Sequence, residues 1–144
     1  MRYVCDAPGG CTWFQIETEA EAGEESRRME HAVERYFREA RQQAAACYDP
    51  PAGPFIERDI GREDHIRRVM PRFLTLREPD GEPLVTAMLP GPANRDPRFR
   101  PIVVGRRNAD PYPEHGPAIA ALAAHVRLEL DRDRCYPYGS PSRR

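Results

Sequence analysis

TEAEAGEESRRMEHAVERYFREARQQAAACY, Thr18 to Tyr48, is the stretch whose reading decides the fold. Its apolar positions Met29, Ala32, Val33, Tyr36, Phe37, Ala40, Ala44, Cys47 and Tyr48 recur every three or four residues. That is the spacing of one buried helix face. Thr18-Glu19-Ala20-Glu21 fits a capping box, in which the threonine hydroxyl accepts from the Glu21 N–H and the glutamate reaches back. Acidic residues fill the first turns and Arg35, Arg38 and Arg41 the later ones, which suits the helix dipole. Glu24–Arg28 and Glu34–Arg38 are neighbours of opposite sign on one face. Asp49-Pro50-Pro51 ends the run, since neither proline can donate a backbone hydrogen bond. Gly23 is its weak point, so the ordered helix begins at Thr18 or a turn later, near Glu24. As one helix it spans about 45 Å. A small core needs less, so one end is expected to project or to meet a second chain.

Composition narrows the class of protein. A chain of 144 residues is long enough for a core, and 31% charged residues imply a heavily charged surface. The net charge of −1 sets up no global field toward nucleic acid or membrane. All 22 basic residues are arginine. Lysine Schiff-base chemistry and a P-loop lysine are therefore excluded. No run is long and apolar enough to span a bilayer, and MRYVCDAPGG lacks the apolar centre of a signal peptide. A cytoplasmic location is expected, with Cys5, Cys11, Cys47 and Cys135 reduced. Sixteen prolines cluster between the patterned segments and argue for stiff connections.

Outward from the helix, Arg2–Cys5 and Cys11–Glu17 read as a hairpin around Asp6-Ala7-Pro8-Gly9-Gly10. Placing Cys5 opposite Cys11 puts Val4, Phe14 and Ile16 toward the core, and Tyr3, Cys5, Cys11 and Trp13 on the other side. After a proline-rich connector from 49 to 58, Arg62–Met70 reads as a short helix with Ile66, Val69 and Met70 inward. Phe73–Arg77 and Leu84–Leu89 flank Glu78-Pro79-Asp80-Gly81, a type I turn closed by a left-handed glycine. Ile102–Gly105 is apolar throughout and reads as a central strand. Pro117 opens a second amphipathic helix with Ile119, Leu122, Ala123, Val126 and Leu130 on one face. The expected fold is α+β: a mostly antiparallel sheet of about five strands, two hairpins plus one strand, packed by the long helix and the C-terminal helix. Residues 1–135 are expected to form a single domain and 136–144 a flexible tail. The expected core is Phe14, Ile16, Val33, Tyr36, Phe37, Ala40, Leu74, Leu76, Val85, Ile102, Val104, Ile119, Leu122 and Val126.

Four constellations bear on function. The cysteines with His31, His65, His115 and His125 could supply zinc ligands, but Cys5-x5-Cys11 is not a zinc-knuckle spacing and no second pair answers it. No metal or cofactor is expected. Asp110, Glu114 and His115 follow the apolar strand, yet nothing in the sequence brings Cys11 or Cys135 to them as a nucleophile. Arg95, Arg98 and Arg100 in one loop and Arg106, Arg107 and Asn108 after the next strand form a candidate anion site if the two loops converge. Phe99 and Tyr112 could then stack on a base, whereas Asp110 and Glu114 could instead neutralise the arginines internally. The overlong helix and a Tyr3/Trp13 face suit an interface, unless the second helix covers Trp13 within the chain. The reading that needs the fewest special residues is a small non-enzymatic protein acting through contact with another protein or with a second copy of itself. The alternative is a small enzyme or an anion- or nucleic-acid-binding protein using the Arg95–His115 region.

Overall fold

The structure, a computed structural model, describes residues 1–50 and 55–138, the side chains of 55–59 excepted. Five strands, β1 (Arg2–Asp6), β2 (Thr12–Ile16), β3 (Arg72–Arg77), β4 (Pro83–Leu89) and β5 (Ile102–Val104), form one antiparallel sheet in chain order. Between β2 and β3 the chain runs through α1 (Glu19–Met29), α2 (Val33–Ala46) and α3 (Phe55–Val69). After β5 it forms α4 (Tyr112–Val126). This is an α+β fold, with the β3–β4 hairpin turned as expected: Gly81 is left-handed at φ 91° and donates to Glu78 O at 2.8 Å. Among the described residues no helix is long and apolar enough to cross a membrane.

The long helix is two helices. Its capping box is present at Thr18 and Glu21, but α1 stops at Glu30, which is left-handed at φ 54°. The Ser26 carbonyl accepts from Glu30 N and His31 N, while the Ser26 hydroxyl accepts from Glu34 N at 2.8 Å and so caps the start of α2. No proline or glycine marks the break, which is why periodicity runs across it. The apolar stripe divides accordingly. Met29, Val33, Phe37 and Ala44 are buried, whereas Tyr36, Ala32 and Cys47 are exposed. Tyr36 and Cys47 therefore leave the expected inward face.

Both faces of the sheet are covered, and this corrects the assignment of the first hairpin. Its turn closes with Ala7 N donating to Cys11 O, so Cys5 lies opposite Trp13 and Tyr3 opposite Phe14. A bulge between Tyr3 and Cys5 interrupts the alternation. Trp13, Leu74, Leu76, Val85, Ala87 and Val103 pack under Ala118, Ile119 and Leu122 of α4. Trp13 is fully buried there, its Nε1–H donating to Ala118 O at 2.9 Å. On the opposite face Ile16 and Phe73 pack under Ala22, Val33 and Phe37. Phe14, Ile102 and Val126, expected in the core, are half-buried. β5 is an edge strand rather than a central one. It reads as continuously apolar because Val103 joins the α4 cluster while Ile102 and Val104 line a small pocket with Val33 and Phe73 on the opposite face. A single bridge from Tyr136 to Ile102, with Tyr136 N donating to Pro101 O, ties residues of the expected tail to this edge, and Tyr138 hydroxyl reaches Ala109 O. Residues 139–144 lie outside the described residues. The α3 helix starts at Phe55, seven residues before the expected Arg62, with Ile66 buried and Val69 exposed. Residues 51–54 of the expected connector are also outside those described. His115 kinks α4, so the run after the kink matches the helix read from Pro117.

One polar row crosses the α1 face of the sheet. Thr75, Thr86 and Arg77 are buried beneath Glu25, which has no exposed surface. Glu25 Oε1 accepts from Arg77 Nη2 at 2.7 Å and Oε2 from the Thr86 hydroxyl at 2.5 Å. Arg77 Nε donates to Thr75 Oγ1 and Nη1 to Gly81 O. His31 Nε2 lies 2.8 Å from Thr86 Oγ1, whose proton already goes to Glu25. The Nε2–H must therefore be the donor, with Nδ1 left facing Val33 N.

Two outcomes follow from this packing. Phe37 is 3% exposed and meets Phe73 edge to face at 5.2 Å. Phe37→Ala is expected to lose about 3–5 kcal/mol, read from urea unfolding followed by the emission of the single tryptophan. Burial holds the His31 pKa below its ordinary value near 6.5, against a smaller opposing pull from Glu25. The neutral ring is favoured in the fold, so stability is retained above the unfolded-state pKa and falls as pH drops through 6.5 toward the depressed folded value. His31→Gln is expected to flatten that acid limb in urea midpoints measured across pH.

Candidate anion-binding site

Antiparallel pairing in chain order gathers alternating strand starts and ends at each end of the sheet. One end holds the starts of β1, β3 and β5 and the ends of β2 and β4. It presents Arg2, Arg72, Pro90 and the segment entering Ile102. The other end holds the β3–β4 turn and the exit of β5 toward Arg106.

At the turn end, each arginine described has a carboxylate. Arg77 pairs with Glu25, Arg28 and Arg106 with Glu82, and Arg107 with Glu30. The Arg107 guanidinium holds the Glu30 carboxyl below its usual range and is itself raised by that contact. The neutralisation expected for Arg106 and Arg107 is therefore present, with Glu82 and Glu30 as partners in place of Asp110 and Glu114. Asp110 pairs with Arg132 at 2.7 Å, and Glu114 lies 3.8 Å from His115. Asn108 lines a small apolar pocket with His31, Tyr36 and Phe73.

The Arg95–Arg100 loop lies at the opposite end of β5 from Arg106, Arg107 and Asn108, so the two sets are not brought together. Arg95 donates to Pro92 O and Arg98 pairs with Asp96. With Arg100 and Phe99 they line a groove of about 740 Å³ shared with Arg127 and Arg134. Tyr112 is elsewhere, its hydroxyl on Leu130 O and its ring against Tyr138.

The same end of the sheet carries a second hollow, which the sequence reading missed. It is a cleft of about 720 Å³ between the start of β1, the start of β3, α2, α3 and the end of α4. Five arginines line it, Arg2, Arg41, Arg67, Arg68 and Arg72, against two carboxylates, Glu17 and Glu63. Arg41 is taken by Glu63 at 2.7 Å, and Arg67 leans on Asp64 at 3.6 Å. Arg2 donates to Gln15 Oε1. Arg72 is half-buried, donates only its Nε to Pro90 O at 2.9 Å, and has its pKa lowered by burial. Among the described residues Arg2, Arg68 and Arg72 have no carboxylate partner. A guanidinium drawn out of water without a counter-charge is electrostatically costly and favours an incoming anion. Phe37, Ile66, Met70 and Val126 give the same cleft an apolar lining. Pro92, on its far wall, follows Gly91. A Cβ there would stand 2.5 Å from Met70 O, so only glycine lets the post-β4 chain lie against the end of α3, where Ala93 N donates to Arg68 O.

Tyr3 is 57% exposed and bonds Asp6, while Trp13 is enclosed by α4 and offers no surface to a partner. Among the described residues no group of three or more His, Cys, Asp or Glu side chains could hold a metal, and all four cysteines are free. No family model, no curated protein and no solved structure matches this chain.

Burial pushes the thiols of Cys5 and Cys135 up, away from the thiolate form that reacts. In a titration with a chromogenic disulfide reagent, the exposed Cys47 is expected to label first and Cys5 and Cys135 only on unfolding.

Proposed function

We propose that this chain is a binding protein for an organic anion, taken in the cleft beside Arg72. The observation that carries the reading is the half-buried Arg72 guanidinium, without a carboxylate partner among the described residues and flanked by Arg2 and Arg68 in a hollow of ligand size. The arginine forks suit a phosphate or carboxylate, and the Phe37, Ile66 and Met70 lining suits an apolar body attached to it. Protein contact ranked first in the sequence on an overlong helix and an aromatic face. The helix is two shorter ones and Trp13 lies under α4, which leaves only Tyr3 of that face exposed, so the anion reading stands ahead of it.

Adenosine monophosphate, which joins a phosphate through ribose to a flat aromatic base, is the probe. Calorimetric titration at low salt is expected to give binding that weakens as salt rises. Arg72→Gln is expected to weaken it about 10- to 100-fold, the value of one to two charge-assisted hydrogen bonds. Equal binding by the native chain and Arg72→Gln, or no binding by either, would overturn the reading.

A further inference from the structure

The cleft and the Arg95–Arg100 groove are neighbours. Pro92, His125 and Val126 line the first, while Pro90, Arg127 and Leu128 line the second. These are consecutive stretches of two segments, so both hollows flank one ridge built from the post-β4 chain and the end of α4. Arg72 in the first hollow is tied to that ridge through Pro90 O.

We infer that this end of the sheet is one binding track for single-stranded nucleic acid, running from the cleft across the ridge into the second groove. The inference rests on the anion reading of the cleft and extends it to a longer ligand. Charge is the first ground. The second groove holds five arginines against Asp96, Glu129 and Asp133, a smaller excess than the first, with Arg98 paired to Asp96 and Arg134 to Glu129. The whole chain carries a net charge of −1, so this concentration is local. Arg127, in the left-handed position that ends α4, has no carboxylate partner among the described residues. Two adjacent positive hollows suit a ligand with repeated negative charges better than one small anion.

Aromatic placement is the second ground. Phe99 is half-buried in the groove, and Tyr3 lies in the cleft with its ring more than half exposed. Guanidinium groups for phosphates and accessible rings for bases are the two parts of a single-strand site. A duplex keeps its bases stacked inside, out of reach of a ring recessed as Phe99 is. The outer strands of a five-stranded sheet lie roughly 19 Å apart. That width accommodates several nucleotides, within the range of about 4–16 found for single-strand folds.

The test is fluorescence anisotropy with labelled oligothymidylate of about ten residues, alongside the mononucleotide titration. The oligomer is expected to bind at least about tenfold tighter than the mononucleotide, with affinity falling steeply in salt as counterions are released. Arg98→Gln/Arg127→Gln, both on exposed positions, is expected to lower oligomer affinity about tenfold and to make the salt slope shallower. Equal affinity for oligomer and mononucleotide would overturn the track and leave the cleft reading standing. Oligomer binding that responds to Arg98→Gln/Arg127→Gln but not to Arg72→Gln would overturn the shared track, while the cleft reading falls only if mononucleotide binding is also unchanged in Arg72→Gln. Polyglutamate of matching length competing as well as unlabelled oligothymidylate would overturn the nucleic-acid assignment.

Discussion

A carboxylate with no access to water sits over the middle of a sheet, and the placement of three elements depends on it. Glu25 is held by Arg77 and Thr86, and removing either charge would strand the other in the interior. The pair therefore fixes how α1 lies on β3 and β4. Ala22 and Met29, one turn to either side of Glu25, are buried by the same docking. At the far end Arg28 reaches Gly81 O and Glu82 in the β3–β4 turn. Ser26 caps α2, so the start of α2 is set by α1, and with it the meeting of Phe37 and Phe73. A buried ion pair contributes little net stability over an apolar substitute. Here its contacts join α1 to both β3 and β4 at a single residue.

The same arrangement sorts charge along the strands. At the turn end Glu25, Glu30 and Glu82 are committed to arginines across element boundaries. At the other end Arg41 and Arg67 are paired with Glu63 and Asp64, whereas Arg2 and Arg72 meet an amide and a carbonyl oxygen instead. A net charge near zero thus conceals a molecule with two electrostatically different ends.

Much of the fold was legible in the sequence: the antiparallel sheet, the β3–β4 turn and the capping box at Thr18 depend on local chemistry that a short window contains. The break at Glu30 was not, because a glutamate takes the left-handed position usually given to glycine and is held there by partners distant in the chain. Trp13 was misplaced because one core was assumed where helices cover both faces. Cross-strand register also depended on how tightly the first turn closed. The arginines of the cleft were hidden for a topological reason. Arg2, Arg68 and Arg72 lie far apart in the chain or on different elements, and only strand order brings them to one end. The visible clusters, Arg95–Arg100 and Arg106–Arg107, were separated by the strand between them. A signal was present nonetheless: in an antiparallel meander, arginines at the starts of alternate strands must share an end.

Strand order equals chain order in this sheet, yet the connections between neighbouring strands differ widely in length. β3–β4 and β1–β2 are closed by short turns, whereas β2 and β3 are joined through three helices. Glu25 and Arg77 are 52 residues apart. The two hairpins can form locally in microseconds, but closing the sheet between them must wait for a long loop to come together. Until then the inner edges of β2 and β3 are unpaired, and an isolated hairpin edge is open to strands from other molecules. The time taken to dock α1 over Thr75 and Thr86 is thus the time during which newly made chains are most exposed to one another.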